Sequence, residues 1–107
     1  MTDRHEIVLT RNAEKDLDRL KHDKDRAAQE LSRLETNPLA GHSLSGSLRG
    51  ARSLEFSLRG GGAYRAVYTV VDSNRICIIF VVGPHENIYK VAERRYAAVR
   101  KSLSSEQ

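Results

Sequence analysis

The stretch RGGGAYRAVYTVVDSNRICIIFVVGPHENIY, residues 59–89, decides the fold. Tyr64 to Val71 alternates, placing Tyr64, Ala66, Tyr68 and Val70 on one face of a strand and Arg65, Val67 and Thr69 on the other. Ile76 to Val82 does not alternate. Its unbroken apolar run, mostly β-branched, predicts a strand covered on both faces and lying near the centre of its sheet. Asp72-Ser73-Asn74-Arg75 supplies turn chemistry between the two, so they form an antiparallel hairpin. Gly60-Gly61-Gly62 joins this hairpin to a preceding strand. Phosphate-cradling glycine loops join a strand to a helix, so these glycines read instead as a turn that needs positive φ. Arg65 is the one charged residue deep in the hairpin.

Upstream, Leu54, Phe56 and Leu58 alternate with Ser53, Glu55, Ser57 and Arg59, which predicts a strand over 51–58. Residues 39–50 are rich in Gly, Ser and His and read as a loop tethered by Leu44 and Leu48. Before the loop, Ala27 or Ala28, Leu31 and Leu34 recur at helical spacing, and that helix stops at Asn37-Pro38 because a residue preceding proline avoids the helical region. Ala13, Leu17 and Leu20 mark an earlier helix over 13–21, capped by Thr10 or Asn12 and separated from the second by His22-Asp23-Lys24-Asp25. Ile7 and Leu9 mark a short first strand. Downstream, Ile88, Ala92, Tyr96 and Val99 recur at helical spacing among Lys90, Arg94, Arg95 and Arg100, giving a basic last helix that frays over 102–107.

The order is β-α-α-β-β-β-α. It describes a small α+β domain over 1–107, with its core within about 5–100, built on a mainly antiparallel twisted sheet of about four strands. The helical pair covers one face; Glu55, Ser57, Arg59 and Arg65 gather on the other. At 107 residues and 39% hydrophobic the chain has room for one modest core. No apolar run has the length of a membrane span, and the lone Cys77 falls in the most apolar strand, so a reducing cytoplasm is the expected home.

The net charge is +4 and the pI about 9.5. Residues 1–40 hold eight Lys or Arg against nine Asp or Glu, whereas residues 41–101 hold ten against four. The basic excess therefore belongs to the sheet and the last helix, as a polyanionic partner or an acidic protein would require. His5, His22 and His42 have no spacing that would bring two onto one metal.

Four segments together resemble the RelE/ParE superfamily, the toxins of bacterial type II toxin–antitoxin systems. They are Val8-Leu9-Thr10 running into Ala13-Glu14-Lys15-Asp16-Leu17; Asn37-Pro38 with Leu44-Ser45-Gly46; Leu58 through the glycines to Tyr64-Arg65-Ala66-Val67-Tyr68; and Val82-Gly83-Pro84-His85-Glu86-Asn87-Ile88-Tyr89. The resemblance covers about residues 5–100. The Gly-Pro-His with a tyrosine four residues on resembles the RelE-like ribonuclease branch, which implies metal-independent, cofactor-free cleavage of messenger RNA, usually on the ribosome. In that chemistry the 2′-hydroxyl attacks the neighbouring phosphate and leaves a cyclic phosphate and a 5′-hydroxyl. It needs a base, an acid and positive charge at the phosphorane.

By the same resemblance Arg65 is the catalytic phosphate clamp, His85 the general acid or base, and Tyr89 a residue that stacks on a base or orients the 2′-hydroxyl. A guanidinium stays charged and donates two parallel hydrogen bonds to phosphate, and an imidazole exchanges protons near neutrality. Arg65 is equally a candidate for a structural pair with Glu55 on the adjoining strand. Arg59, Arg52, Arg49, Lys90 and Arg94 are the expected RNA contacts. RelE's lysines on the preceding strand correspond to Glu55 and Ser57 here, and Glu55 is a possible base in their place. The implied partners are a cognate antitoxin, messenger RNA with ribosomal RNA, and operator DNA through the antitoxin complex, with no membrane. Two other functions fit the same resemblance: a ParE-like inhibitor of DNA gyrase, and an inactive member that serves as an antitoxin-binding corepressor.

Overall fold

The computed structural model describes residues 4–58, 62–84 and 87–105. Its elements are β1 (Glu6–Leu9), α1 (Arg11–Asp18), α2 (Lys24–Leu31), β2 (His42–Ser43), β3 (Ala51–Ser57), β4 (Ala63–Val71), β5 (Ile76–Pro84) and α3 (Ile88–Ser105). One five-stranded sheet runs in the order β1-β5-β4-β3-β2. β1 joins β5 in parallel, and every other pairing is antiparallel. The additional strand, β2, is a two-residue edge inside what the sequence presents as loop. Both of its residues are exposed, so no apolar alternation announces it.

Thr10, rather than Asn12, caps α1, its side chain accepting from the Ala13 amide at 3.2 Å. Lys21, in the left-handed region at φ 52, turns the chain toward α2. α2 ends at Leu31, and a 3₁₀ turn over Ser32–Glu35 brings the chain to Asn37-Pro38. At eight residues each, these helices are too short to persist alone in water, so packing holds them. Ala13, Leu17, Ala27, Leu31 and Leu34 pack with Leu54, Phe56, Ala66, Tyr68, Cys77 and Ile79 on one sheet face. Ala27 is the inward residue of its pair; Ala28 is exposed. On the other face, Ile88, Ala92 and Tyr96 of α3 bury Ala51, Val67, Phe80 and Val81.

β5 lies between β1 and β4, one strand from the centre, with both faces covered. A β-bulge breaks its register: Tyr68 pairs with Ile79 but Val67 with Val81, leaving Phe80 as the extra residue. Phe80 and Val81 consequently both join the α3 side, while Ile79 and Val82 join the other. Because both faces are covered, every position of 76–82 is apolar, and the bulge adds consecutive residues on one face, so the run shows no alternation.

Two tyrosines pin the long segment 38–50. Tyr68 donates to the Pro38 carbonyl at 2.7 Å and accepts from the Gly41 amide at 2.9 Å. Tyr96 donates to the Arg49 carbonyl at 3.0 Å. The neighbouring Gly50 sits at φ +98, and a Cβ there would meet the Tyr96 hydroxyl at 2.6 Å, so this position requires glycine. Gly62 carries the positive φ expected of the glycine turn (+89), whereas Gly60 and Gly61 lie outside the described residues. α3 continues through Ser105, past the point at which fraying is expected. Among the described residues no helix is long and apolar enough to cross a membrane.

Candidate functional site

β3 and β4 place Glu55 directly opposite Arg65, and β4 and β5 place Gly83 opposite Arg65 on its other side. The guanidinium therefore stands in the middle of three strands, on the face that α3 covers. Its Nη1 donates to the Tyr89 hydroxyl at 2.5 Å, and the guanidinium carbon lies 5.5 Å from the Tyr89 ring centroid. Its Nη2 lies 3.2 Å from Glu55 Oε2. Its Nε is buried and has no hydrogen-bond partner among the described residues. The Tyr89 hydroxyl also lies 3.4 Å from the Oγ of Ser53, a serine buried at the base of the cluster.

Burial differs sharply across this group. The Arg65 side chain is 14% exposed and that of Glu55 55%, so the cation is recessed and the carboxylate faces water. Tyr89, on the first turn of α3, forms the wall between them and the apolar layer beneath the helix. The result is a permanently charged donor, one of its N–H groups unengaged, lined by a phenol, a carboxylate and a serine hydroxyl. Such a group has the charge and donors to receive an anion of phosphate geometry.

Arg65, Tyr89 and Glu55 are thus brought together. His85 and Arg59 lie outside the described residues. Arg52 is not part of the cluster. It alternates onto the α1–α2 side, where Nε donates to the Gly41 carbonyl at 2.8 Å and Nη2 to the Leu39 carbonyl at 3.3 Å, bracing the 38–41 segment. Arg49, Lys90 and Arg94 are exposed, the last two on the outer surface of α3.

A second Arg–carboxylate pair arises from residues that read as surface charge. Asp16 of α1 is buried (7% exposed); its Oδ2 accepts from Arg95 Nη1 at 2.6 Å and from the Val82 amide at 3.0 Å. Arg95 Nη1 also donates to the Phe80 carbonyl at 3.0 Å. β1 pairs with β5 only as far as Ile79, so these side chains satisfy β5 backbone groups past the end of the ladder. Helical spacing held the signal: 13-16-17-20 and 92-95-96-99 are both inward arcs, each carrying one charge, of opposite sign.

The fold and site define a small α+β domain with a recessed arginine on its sheet. Similar solved structures are the Mycobacterium tuberculosis toxin–antitoxin complex RelBE2 (27% identity, 81% of this chain and 97% of that one, TM-score 0.64) and an Escherichia coli RelE toxin mutant in the free state (20%, 84% and 93%, TM-score 0.65). The intact E. coli RelBE complex is also similar (22%, 78% and 99%, TM-score 0.60). No match is found among curated protein sequences. The model of the ParE-like toxin of type II bacterial toxin–antitoxin systems matches residues 7–93. The chain belongs to this family, as a toxin of the RelE/ParE superfamily.

Proposed function

We propose that this toxin is an endoribonuclease that cleaves messenger RNA, on the ribosome, by attack of the 2′-hydroxyl on the adjacent phosphate. The observation that carries the reading is the recessed Arg65 guanidinium, its Nε without a partner among the described residues and Tyr89 fixed against it. Arg65 holds the phosphate oxygens and stabilises the added charge of the phosphorane. Tyr89 stacks on or orients the nucleotide whose 2′-hydroxyl attacks. Proton exchange is assigned to His85, two residues beyond the Gly83 that pairs with Arg65. The imidazole takes the 2′-hydroxyl proton as the O2′–P bond forms, and the resulting imidazolium returns it to the 5′-oxygen as the P–O5′ bond breaks. The products are a cyclic phosphate and a 5′-hydroxyl. Exposed Arg49, Lys90 and Arg94 supply contacts to ribosomal RNA, and Arg59 a contact to the substrate backbone. A cognate antitoxin with an acidic, disordered arm neutralises the toxin by covering this face.

The test is Arg65→Ala and His85→Ala, assayed on purified ribosomes carrying a defined message and by induction in cells. Arg65→Ala is expected to lose about 10²–10³-fold in cleavage rate, with growth arrest abolished and circular dichroism nearly unchanged. Cleavage at the wild-type rate in both variants would remove the assignment.

A second reading, a non-enzymatic inhibitor of DNA gyrase, is favoured by the ParE-like description of the matching family and by Glu55 and Ser57 replacing cations of the RelE groove. It predicts DNA damage and filamentation on induction while protein synthesis continues at first. Pulse labelling of the two syntheses separates the readings.

A further inference from the structure

We infer that Glu55 occupies, in the free toxin, the seat on Arg65 that a substrate phosphate takes, and so acts as a competitor carried by the chain itself; this rests on the ribonuclease reading above for its substrate, a phosphodiester. A guanidinium presents parallel N–H donors along its Nε–Nη2 edge, the edge that receives carboxylates and phosphates in bidentate fashion. In this protein that edge carries an ion-pair contact at Nη2 and no hydrogen bond among the described residues. Glu55 reaches Nη2 with one oxygen, at 3.2 Å, while Nε has no partner among the described residues. A phosphate on the same edge engages both donors, so it forms two charge-assisted hydrogen bonds where the carboxylate makes a single ion-pair contact. The remaining nitrogen, Nη1, stays with Tyr89 throughout.

The exposure of the partners sets the direction of exchange. Arg65 is recessed and directly opposed by Glu55 in the sheet register, so it does not move away from the strand face. Glu55 is more than half exposed, so its carboxylate exchanges Arg65 for water at little cost. Glu55 therefore screens the cation against weak monoanions and yields to a ligand that fills the whole edge. Acting as an exchangeable counter-ion, it is not the proton acceptor of the reaction.

The experiment titrates inorganic phosphate, and separately a 2′-O-methyl dinucleotide that has no attacking hydroxyl, into the ¹⁵N-labelled full chain, following the Arg65 Nε–H resonance. Glu55→Gln keeps size and hydrogen bonding but removes the charge, and is expected to tighten both ligands about three- to ten-fold, the range that loss of one exposed ion pair and its repulsion of the ligand gives. Glu55→Ala, which cannot bridge to Arg65 at all, is expected to tighten them equally or more. In ribosome cleavage kcat/KM rises for Glu55→Gln. Unchanged or weaker binding in both variants overturns the inference, as does a fall in kcat of about 10²-fold or more, the mark of a lost general base. Because binding is read without turnover, a wild-type chain that cuts no RNA while the Glu55 variants bind the ligands more tightly sinks the ribonuclease reading and leaves the anion seat in place.

Discussion

Removing the Asp16 carboxylate tests whether the buried pair between the first and last helices holds the sheet edge together. Asp16→Ala takes away the partner of Arg95 and the acceptor for the Val82 amide in one step. Breaking a buried ion pair from one side costs about 3–5 kcal/mol, because a charge is left without compensation. The Arg95 side chain is 22% exposed and recovers some hydration, which puts the cost near the lower limit, about 3 kcal/mol. Against a total stability of about 5–15 kcal/mol, that is a large fraction. It lowers the urea midpoint by about 1–3 M at unchanged slope. Arg95→Ala is expected to cost about 2–3 kcal/mol, since Asp16 keeps the Val82 amide. The double variant then falls about 2 kcal/mol or more short of the sum of the singles. Urea unfolding of all four proteins, followed by far-ultraviolet circular dichroism, gives the cycle. Additive singles, or an Asp16→Ala cost below about 1 kcal/mol, would refute the claim that the two charges form one unit.

Tyr68→Phe removes the hydroxyl that serves both Pro38 and Gly41, leaving two backbone groups beside a fully buried ring without partners; the expected loss is about 2–4 kcal/mol by thermal or urea unfolding, and a loss under about 0.5 kcal/mol would count against the anchor. Burial pushes the Cys77 thiol from its ordinary value of 9.0 up to about 11. The stability tied to the neutral thiol is fully present below pH 9 and is lost as the pH rises from 9 through about 11, an effect of up to about 2–3 kcal/mol. Cys77→Ala is expected to flatten this alkaline decline, with Tyr68, also raised by burial, continuing it above pH 10. Parallel alkaline profiles for the two proteins would contradict the assignment.

The architecture was legible where burial imposes a period. The hairpin, the α3 stripe of Ile88, Ala92 and Tyr96, and the opposite faces of Tyr68 and Arg65 all follow from which residues are apolar at which spacing. β2 was not legible, because a two-residue exposed edge strand is specified by its pairing with Arg52 and Ser53 and not by its own side chains. Arg52 illustrates the same gap from the other direction. Composition counts it as one more cation of a basic surface, whereas its guanidinium is engaged with the carbonyls of Leu39 and Gly41 on the far face. Its parity with Leu54 and Phe56 along the strand puts it on that face, so strand parity is a better guide to Arg52 than its charge. Within the site, register alone predicts the meeting of Glu55 and Arg65. Tyr89 is brought there by the angle at which α3 crosses the sheet, which no local spacing encodes.

The two arginine–carboxylate pairs show why identical chemistry divides into structure and function. Around Asp16 both carboxylate oxygens are engaged: Arg95 and a backbone amide share one, Arg95 reaches the other at 3.4 Å, and the same arginine caps the Phe80 carbonyl. Nothing in that arrangement can be exchanged without stranding a buried group, so it locks α1 and α3 onto β5 and is closed to ligands. Around Arg65 the reverse holds. One nitrogen is fixed by Tyr89, one is paired with a carboxylate that faces water, and one buried donor is unengaged among the described residues. Its geometry is completed only by an additional acceptor. A pair left incomplete in this way contributes little to stability, because the exposed partner costs almost nothing to release. On the ribonuclease reading proposed above, the acceptor that completes it is a phosphodiester, whose two free oxygens match the two-point geometry of the guanidinium.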